Sequence, residues 1–358
     1  MYNHIRWDIW KSKVNNNLNL NDMQRNGIIS AGNWVIDHIK MIDKLPDSGN
    51  LSNIKFIAER ALGGCSHNVL VNLAKLQADI PLWAGGIVGN DEDGNYILNE
   101  ISKHNIDSRY MSVRDNVMTS FTDVMSEIDS GTRTFFHYRG SNALLDYADF
   151  EKMESTAKIF HLGYLLLLDK LDAFDEQYGT VAARVLSMLK SKGYLTSIDM
   201  ASEQSERFRS IVTPSLTYVD YVICNEIEAG ACAGIELRKN GSVCMDNLPE
   251  VAGYMFSQGV SRMVVIHFPE GGYAMEKDGQ QIFVPSYKIA QSEIKSTVGA
   301  GDAFCAGALY AIHEGLPLID ILKIANANAW FNLRSENSTG GAVALAKLKQ
   351  LTTDKLKF

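Results

Sequence analysis

Apolar and polar positions follow a regular pattern from residue 27 onward. Short apolar runs of strand length alternate with stretches whose apolar residues recur every three or four positions, the spacing of a helix that buries one face. The runs predict strands at 27–30 with 34–36, 82–88, 157–161, 195–199, 221–224 and 263–267. The periodic stretches predict helices at 68–77, 96–104, 178–190 and 250–258. This alternation predicts an α/β fold with a mainly parallel sheet covered by helices on both faces.

One pair of predicted strands departs from this alternation. Residues 119–125 and 132–138 are rich in β-branched and aromatic residues, with a turn at 129–131 between them. That pattern is typical of a β-hairpin, which we expect to lie outside the main sheet. Residues 1–26 are polar and rich in Asn, and they predict an N-terminal extension ahead of a single domain at 27–358.

Composition narrows the classes of function. The chain has 34 Lys and Arg against 42 Asp and Glu, a net charge of −8, whereas a binder of nucleic acid needs a basic surface. The longest apolar stretch, at 159–168, is half the length of roughly twenty residues that a membrane span needs. The first residues lack the apolar run of a secretory signal. We therefore expect a cytoplasmic protein with no nucleic-acid or membrane partner.

The cysteines point to no metal or redox motif. There are five, at scattered positions, and no two are separated by the two-residue gap of a zinc or redox motif. The pattern predicts buried, reduced thiols.

The segment that is most informative about chemistry is 296–312, STVGAGDAFCAGALYAI. Gly299 and Gly301 stand beside Asp302 where a loop is predicted to enter a helix. Glycines there let backbone N–H groups converge on one point, and a helix start adds partial positive charge, so the segment predicts an anion site. A carboxylate at that point fits a base acting on the group that attacks a phosphate, as phosphoryl transfer to a hydroxyl requires.

Two other interpretations apply to a glycine-rich turn of this kind. Asp302 would serve only as a helix cap in the first. The second, a dinucleotide-binding fingerprint, needs a third glycine where Phe304 stands, so it fails. The sequence also lacks the Lys of a Walker A loop and the HExxH of a zinc protease.

Three motifs in order along the chain resemble those of the PfkB, or ribokinase-like, carbohydrate kinases. GAGDAFCAGAL at 299–309 is similar to the family's C-terminal signature, GGCSHN at 63–68 to its upstream signature, and NEIE at 225–228 to its NxxE motif. The resemblance covers roughly 27–349. It implies a three-layer α/β/α fold with a mainly parallel central sheet and a small β-sheet lid from segments of about 36–60 and 113–140.

The resemblance implies roles at the matching positions. Asp302 matches the catalytic base that deprotonates the acceptor hydroxyl. Asn225 and Glu228 match the pair that holds Mg²⁺ near the nucleotide phosphates, in part through water. The charge on the transferred phosphate would be held by the backbone N–H groups of an anion hole. That anion hole matches Gly299, Ala300 and Gly301.

The resemblance also implies a sugar site. Asp37 matches an acidic residue that binds sugar hydroxyls, and Gly63, Gly64 and Asn68 match the loop that admits the sugar. Asp37 is otherwise an exposed carboxylate at the end of a strand, and Asn68 also fits a helix cap. Arg139, just after the hairpin, either contacts a substrate carboxylate or hydroxyl or is a solvated loop residue.

On the nucleotide side the resemblance is less complete. Gly271, in the stretch VVIHFPEGGY, and Asn328 match positions near the nucleotide. The family's Asp-Thr-Thr before the anion hole is Ser296-Thr297-Val298 here, and the missing Asp puts a monovalent-cation site in doubt. No role is carried over onto Asp199.

The sequence therefore predicts an ATP-dependent sugar kinase that uses Mg²⁺ with ATP and phosphorylates a ketose or a sugar acid, fructokinase-like or 2-keto-3-deoxygluconate kinase-like. A nucleoside kinase of the same family is one alternative, because Trp34 and Phe136 would offer an aromatic slot. A non-catalytic sugar-binding regulator is another, against which the retained Asp302 and its glycines argue. The resemblance also implies a homodimer through the lid.

Overall fold

The structure, a computed structural model, describes residues 25–58, 60–202 and 207–354. Of the predicted extension at 1–26, only Arg25 and Asn26 are among them. The strands of the described residues are β1 (Ile28–Gly32), β2 (Val35–Ile42), β3 (Ile54–Ile57), β4 (Ala61–Gly63), β5 (Leu82–Gly89), β6 (Asp107–Arg114), β7 (Phe121–Glu127), β8 (Arg133–Tyr138), β9 (Ile159–Leu165), β10 (Phe174–Asp175), β11 (Gly179–Thr180), β12 (Leu195–Met200), β13 (Tyr221–Asn225), β14 (Arg238–Lys239), β15 (Ser242–Val243), β16 (Met263–Phe268), β17 (Gly271–Glu276) and β18 (Gln281–Pro285).

The helices of the described residues are α1 (Cys65–Lys75), α2 (Glu92–Lys103), α3 (Tyr147–Glu151), α4 (Val181–Ser191), α5 (Phe208–Leu216), α6 (Glu226–Ala233), α7 (Leu248–Ser257), α8 (Ala300–His313), α9 (Leu318–Asn332) and α10 (Leu345–Asp354). Among them, none combines the length and the apolar character that crossing a bilayer requires.

The central sheet has the strand order β18-β17-β16-β13-β12-β9-β1-β5-β6. The strands from β16 to β6 are parallel, and β17 and β18 continue one edge in antiparallel pairing. The inner strands β1 and β5 are buried at every position, as expected for a parallel sheet covered on both faces. The mainly parallel sheet predicted from the sequence is confirmed.

Helices cover both faces of this sheet, so the three-layer architecture is confirmed. Neighbouring strand residues alternate between two buried clusters: Ile28 and Ile223 lie in one, and Ile29 and Val222 in the other. The cluster of Ile29 contains apolar residues of α4, α5, α6 and α7. The cluster of Ile28 contains those of α1, α2, α8, α9 and α10. A strand that buries both faces has to be apolar throughout, which explains the continuous apolar runs.

A separate small sheet is formed by β3, β2, β7 and β8 in that order, with β4 also paired to β2. The predicted hairpin is confirmed as the antiparallel pair β7 and β8, outside the central sheet. Val113 and Arg114, at the start of the second segment assigned to the lid, belong instead to β6 of the central sheet. Residues 34–36 do not continue β1: the chain turns at Gly32, whose φ is 132°, and enters β2 of the small sheet.

All four predicted helix starts differ from the structure: α1 begins at Cys65 rather than 68 and α7 at Leu248 rather than 250, and local capping explains the other two. Helix α2 begins at Glu92 rather than 96, because the Asp91 side chain accepts a hydrogen bond from the Gly94 N–H at 2.8 Å. Helix α4 begins at Val181 rather than 178, because Thr180 caps it through the Ala183 N–H.

Asn142 ties the entrance of the small sheet to the rest of the fold. Its Oδ1 accepts a hydrogen bond from the Trp34 N–H at 3.2 Å, and its Nδ2 donates one to the Trp34 carbonyl at 3.0 Å. Both side chains are buried, so these bonds satisfy backbone groups that water does not reach.

We expect Asn142→Ala to lower the free energy of unfolding by about 3 kcal/mol, because it leaves a buried N–H and a buried carbonyl unpaired. Urea unfolding at fixed pH measures this difference. The control is Asn95→Ala, at an exposed position of α2, which should change the free energy by less than about 0.5 kcal/mol. Equal effects of the two substitutions would contradict this account of Asn142.

Candidate active site

The first turn of α8 is the centre of the site. Gly299 precedes the helix with a φ of 74°, and a Cβ there would lie 2.5 Å from the carbonyl oxygen of Ser338. Only glycine fits this left-handed, crowded position. The predicted anion-hole residues Gly299, Ala300 and Gly301 therefore form the N-terminus of a 14-residue helix, where partial positive charge favours an anion.

Asp302 lies in that first turn and is held by two hydrogen-bond donors. Asn68 Nδ2 donates to Oδ2 at 2.7 Å, and the Tyr164 hydroxyl donates to Oδ1 at 2.8 Å. Asp302 is only 5% exposed, and this burial raises the pKa of its carboxyl, whereas the two hydrogen bonds lower it. The result is an oriented carboxylate that binds a proton more readily than an exposed Asp does.

Asn68 is itself oriented by further contacts. Its Oδ1 accepts a hydrogen bond from Ser338 Oγ at 2.8 Å and lies 2.9 Å from Nδ1 of His67. With its carbonyl end occupied, the amide presents its NH₂ group to Asp302. Asn68 comes from α1 and Tyr164 from β9, so this one carboxylate joins three elements.

Among the predicted sugar-site residues, Asp37 lies in β2 and Gly63 ends β4, the strand that pairs with β2. A Cβ on Gly63 would lie 3.2 Å from Asp37 Oδ2, so the missing side chain keeps space beside that carboxylate. Gly64, with a φ of 88°, turns the chain into α1, which carries Asn68. Burial raises the pKa of Asp37 to about 6, with an opposing hydrogen bond from Thr122.

Arg139 is engaged by other groups of the protein. Its Nη1 donates to Asp169 Oδ1 at 2.6 Å and to the Leu166 carbonyl at 3.2 Å. The guanidinium is therefore not a freely solvated loop group, since an ion pair and a backbone contact already hold its Nη1.

Asn225 and Glu228 form one hydrogen-bonded unit at the end of β13. The Asn225 side chain caps α6 by accepting from the Glu228 N–H, and its Nδ2 donates to Glu228 Oε1 at 2.7 Å. Ser202 Oγ donates to the same Oε1 at 2.6 Å. Glu228 is 4% exposed, and burial raises its pKa to about 7.

Three carboxylates line a cavity of about 280 Å³ in front of α8: Asp199, Glu228 and Asp302. Burial, followed by the nearby Glu228 and Asp302, raises the pKa of Asp199 well above its ordinary value. The donors here are carboxylate, amide and hydroxyl oxygens, which Mg²⁺ prefers, so the residues fit that cation. Asp199 is a site residue that the sequence analysis left without a role.

A second cavity of about 490 Å³ adjoins the first, and both are lined by Asn225, His267 and Gly301. Its wall is mostly apolar and aromatic, with Phe304, Tyr287 and Trp330. Such a wall suits the flat face of a nucleotide base, and the end shared with the first cavity lies at the start of α8, where an anion is favoured.

Two predicted nucleotide contacts lie elsewhere. Asn328 is fully buried between α8 and α9, where Nδ2 donates to the Ala303 carbonyl at 2.7 Å. Asn326 lines the cavity in its place and donates from Nδ2 to the Val284 carbonyl at 3.0 Å. Gly271 begins β17, paired with Phe268, and a Cβ there would lie 2.4 Å from the Val284 carbonyl oxygen. Its place is in the sheet edge behind the cavity.

Comparison with known proteins agrees with this fold and site. A model of the pfkB family of carbohydrate kinases matches residues 26–344. The chain belongs to that family, and it is an ATP-dependent carbohydrate kinase.

Individual relatives are distant. Probable fructokinase-7 of Arabidopsis thaliana is 26% identical over 82% of this chain and 82% of its own length. The 2-dehydro-3-deoxygluconokinase of Bacillus subtilis is 23% identical over 81% of this chain and 86% of its own length. The structure of Arabidopsis thaliana ribokinase complexed with ribose and ATP superimposes with a TM-score of 0.74 at 19% identity, covering 92% of this chain and 99% of that one.

The raised pKa of Asp37 predicts a pH dependence of stability. Between pH about 4 and 6 the folded chain keeps a proton on Asp37 that the unfolded chain releases, so the contribution of Asp37 to stability falls as pH rises through this window and is constant above it. Asp37→Asn should therefore remove roughly 2 kcal/mol of the fall in stability over this window, measured by urea unfolding at a series of pH values. The falls due to Asp172 and Glu228, whose pKa values burial raises to about 6 and about 7, should remain. Asp47→Asn, at an exposed position between β2 and β3, should leave the whole fall unchanged. A fall in Asp37→Asn as large as in the wild-type chain would contradict this account of Asp37.

Proposed function

We propose that this protein transfers the γ-phosphate of ATP to a hydroxyl of a ketose or sugar acid, with Asp302 as the base. One observation carries the proposal: a buried carboxylate, oriented by Asn68 and Tyr164, lies in the first turn of α8. Two cavities meet at this point, an acidic one and an apolar one large enough for the base of a nucleotide. This arrangement places a proton acceptor beside an anion site, which phosphoryl transfer to a hydroxyl requires.

In the proposed mechanism Asp302 accepts the proton of the sugar hydroxyl as that oxygen attacks phosphorus. Tyr164 and Asn68 hold the carboxylate in one orientation, so little reorganisation is needed during the reaction. The backbone N–H groups of Gly299, Ala300 and Gly301, at the start of α8, stabilise the charge on the transferred phosphoryl group. The Ala300 N–H, which donates to the Thr297 carbonyl at 3.2 Å, would turn to the phosphoryl oxygen. Burial raises the pKa of Asp302, which favours its taking up a proton, and the hydrogen bonds from its two donors oppose that rise.

Mg²⁺ would be held beside these groups by Glu228 and Asn225, directly or through water, with Asp199 on the same cavity wall. When bound it neutralises phosphate charge and keeps the β- and γ-phosphates in position. Glu228 is fixed for this role by Ser202 and Asn225, which donate to its Oε1.

The surroundings of Arg139 bear on which class of substrate accepts the phosphate. Asp169 already offsets the charge of this guanidinium, so a substrate carboxylate would gain less from Arg139 than from an unpaired arginine. Asp37 and the gap at Gly63 suit hydroxyl groups, since a carboxylate accepts their hydrogen bonds. These contacts favour an uncharged ketose over a sugar acid. Both classes occur among the relatives, a fructokinase and a 2-dehydro-3-deoxygluconokinase.

The small sheet would act as a lid that excludes water from the transferred phosphate.

The small sheet also exposes apolar side chains, among them Phe56, Phe135 and Phe136, each more than half exposed. Exposed apolar groups on a small sheet are typical of a surface that meets a partner. We propose that a second copy of this chain covers them.

This dimer is testable by sedimentation equilibrium. We expect a dimer for the wild-type chain and a shift towards monomer for the double variant Phe56→Ser with Phe135→Ser, because each removes exposed aromatic surface of the small sheet. The control, Phe174→Ser, removes an exposed aromatic side chain from β10, outside that sheet. A monomeric wild-type chain, or equal dissociation of the control, would contradict the proposal.

The kinase itself is tested by coupled ADP release with Mg-ATP over ketoses, aldoses, sugar acids and nucleosides. We expect turnover with a ketose, and a fall in kcat of about 10³-fold in Asp302→Asn, the size expected for loss of a general base. Asp246→Asn, an exposed carboxylate elsewhere, should keep the wild-type kcat. Turnover with nucleosides alone would favour the nucleoside kinase. A wild-type chain that releases no ADP, while a sugar still raises its melting temperature, would favour the binding-only regulator.

A further inference from the structure

A cluster of nitrogen, sulfur and oxygen ligands lies directly behind the acidic cavity. Cys65 Sγ is 3.5 Å from His161 Nε2 and 3.7 Å from Asp199 Oδ2. A second thiol, Cys305 Sγ, is 3.8 Å from the same Nε2. All four side chains are buried, and the proposed transfer reaction uses neither the thiols nor the imidazole.

These ligands come together only in the folded chain. Cys65 begins α1, His161 lies in the middle of β9, Asp199 near the end of β12, and Cys305 in α8, one turn after Asp302. Sequence separations of 96, 38 and 106 residues between them explain why no metal motif is visible in the sequence.

The distances among Cys65, His161 and Asp199 fit three corners of a tetrahedral metal site. Bonds of about 2.3 Å to sulfur and about 2.0–2.1 Å to nitrogen or oxygen place two tetrahedral ligands roughly 3.3–3.8 Å apart. The three sulfur distances above lie in this range, and one ligand atom each of Cys65, His161 and Asp199 all lie within 4.8 Å of one another. Gly163 leaves room for the Cys65 thiol, since a Cβ at position 163 would lie 2.3 Å from Cys65 Sγ.

The imidazole is oriented as a metal ligand. Its Nδ1 lies 3.1 Å from Ser197 Oγ, so a proton on Nδ1 bonded to that hydroxyl leaves the Nε2 lone pair facing the two thiols. Burial lowers the pKa of His161 to about 3, which keeps the ring neutral. A neutral imidazole held by a second partner is the usual form of a metal-bound histidine.

We propose that Cys65, His161 and Asp199 bind a divalent cation of the zinc class, and that the Cys305 thiol, 3.8 Å from His161 Nε2, approaches to complete the four donors. Thiolate and imidazole ligands select such a cation over Mg²⁺, which takes oxygen ligands. This site is separate from the Mg²⁺ position at Asn225 and Glu228, and Asp199 is the residue that the two positions have in common. A cation would enter through the 280 Å³ cavity, which Asp199 lines.

The test is titration of the chelator-treated, reduced full chain with Co²⁺, followed by absorbance. We expect one equivalent to bind, with a thiolate-to-cobalt charge-transfer band in the near ultraviolet and the visible bands of a tetrahedral ion. Zn²⁺ should displace it, and excess Mg²⁺ should not. Cys65→Ser should abolish the band, and Cys305→Ser should weaken cobalt binding at least tenfold.

The matched control is Cys232→Ser, which changes a buried cysteine of α6. It should bind cobalt as the wild-type chain does. Absence of the charge-transfer band in the wild-type chain, its survival in Cys65→Ser, or its equal loss in Cys232→Ser would overturn the proposal.

X-ray absorption of the zinc-loaded wild-type chain gives a second measurement that needs no variant. We expect sulfur in the first coordination shell at about 2.3 Å, together with nitrogen or oxygen at about 2.0–2.1 Å. A shell of nitrogen and oxygen alone would overturn the proposal even if the cysteine variants fail to fold. Both readouts report on metal binding and not on turnover, so this inference and the proposed kinase reaction stand or fall separately.

Discussion

The site depends on burying one carboxylate at the start of a buried helix without leaving it unpaired. Moving a carboxylate out of water costs free energy unless hydrogen-bond donors of the protein replace the lost water. Asn68 and Tyr164 supply those donors to Asp302 from α1 and β9. Because the remainder of α8 is also buried, the helix cannot shift to relieve a poor fit. The glycine at 299, crowded against Ser338, is a consequence of this fixed position.

The parallel sheet explains how the other site residues reach this point. The carboxyl ends of neighbouring parallel strands lie along one edge of the sheet, and α/β proteins bind their ligands at that edge. Tyr164 lies near the end of β9, Asp199 near the end of β12 and Asn225 at the end of β13, and these three strands are adjacent in the sheet. Two helix starts, those of α1 and α8, face the same edge and bring Asn68 and Asp302 to it.

The parts of the site that the sequence predicted best are those formed by residues close together in the chain. The glycines around Asp302 and the Asn225–Glu228 pair, three residues apart in one cap, are visible because their geometry is set by adjacent residues. Tyr164 and Asp199 belong to apolar strand runs, and only the sheet brings them to Asp302 and Glu228. Asn328 and Asn326 show the same limit within one helix: two residues apart, they point to different sides of α9, and the cavity is on the side of Asn326.

The acidic cavity links cation binding to proton release. Asp199 and Glu228 have raised pKa values because burial and their neighbours disfavour ionisation, and the partners of Glu228, Ser202 and Asn225, are neutral. A cation placed among these oxygens favours their ionised forms, so its binding expels protons. A rise in pH removes protons from these oxygens and would therefore strengthen cation binding. The same burial that disfavours charge in the free protein thus couples the protonation of the cavity to the cation.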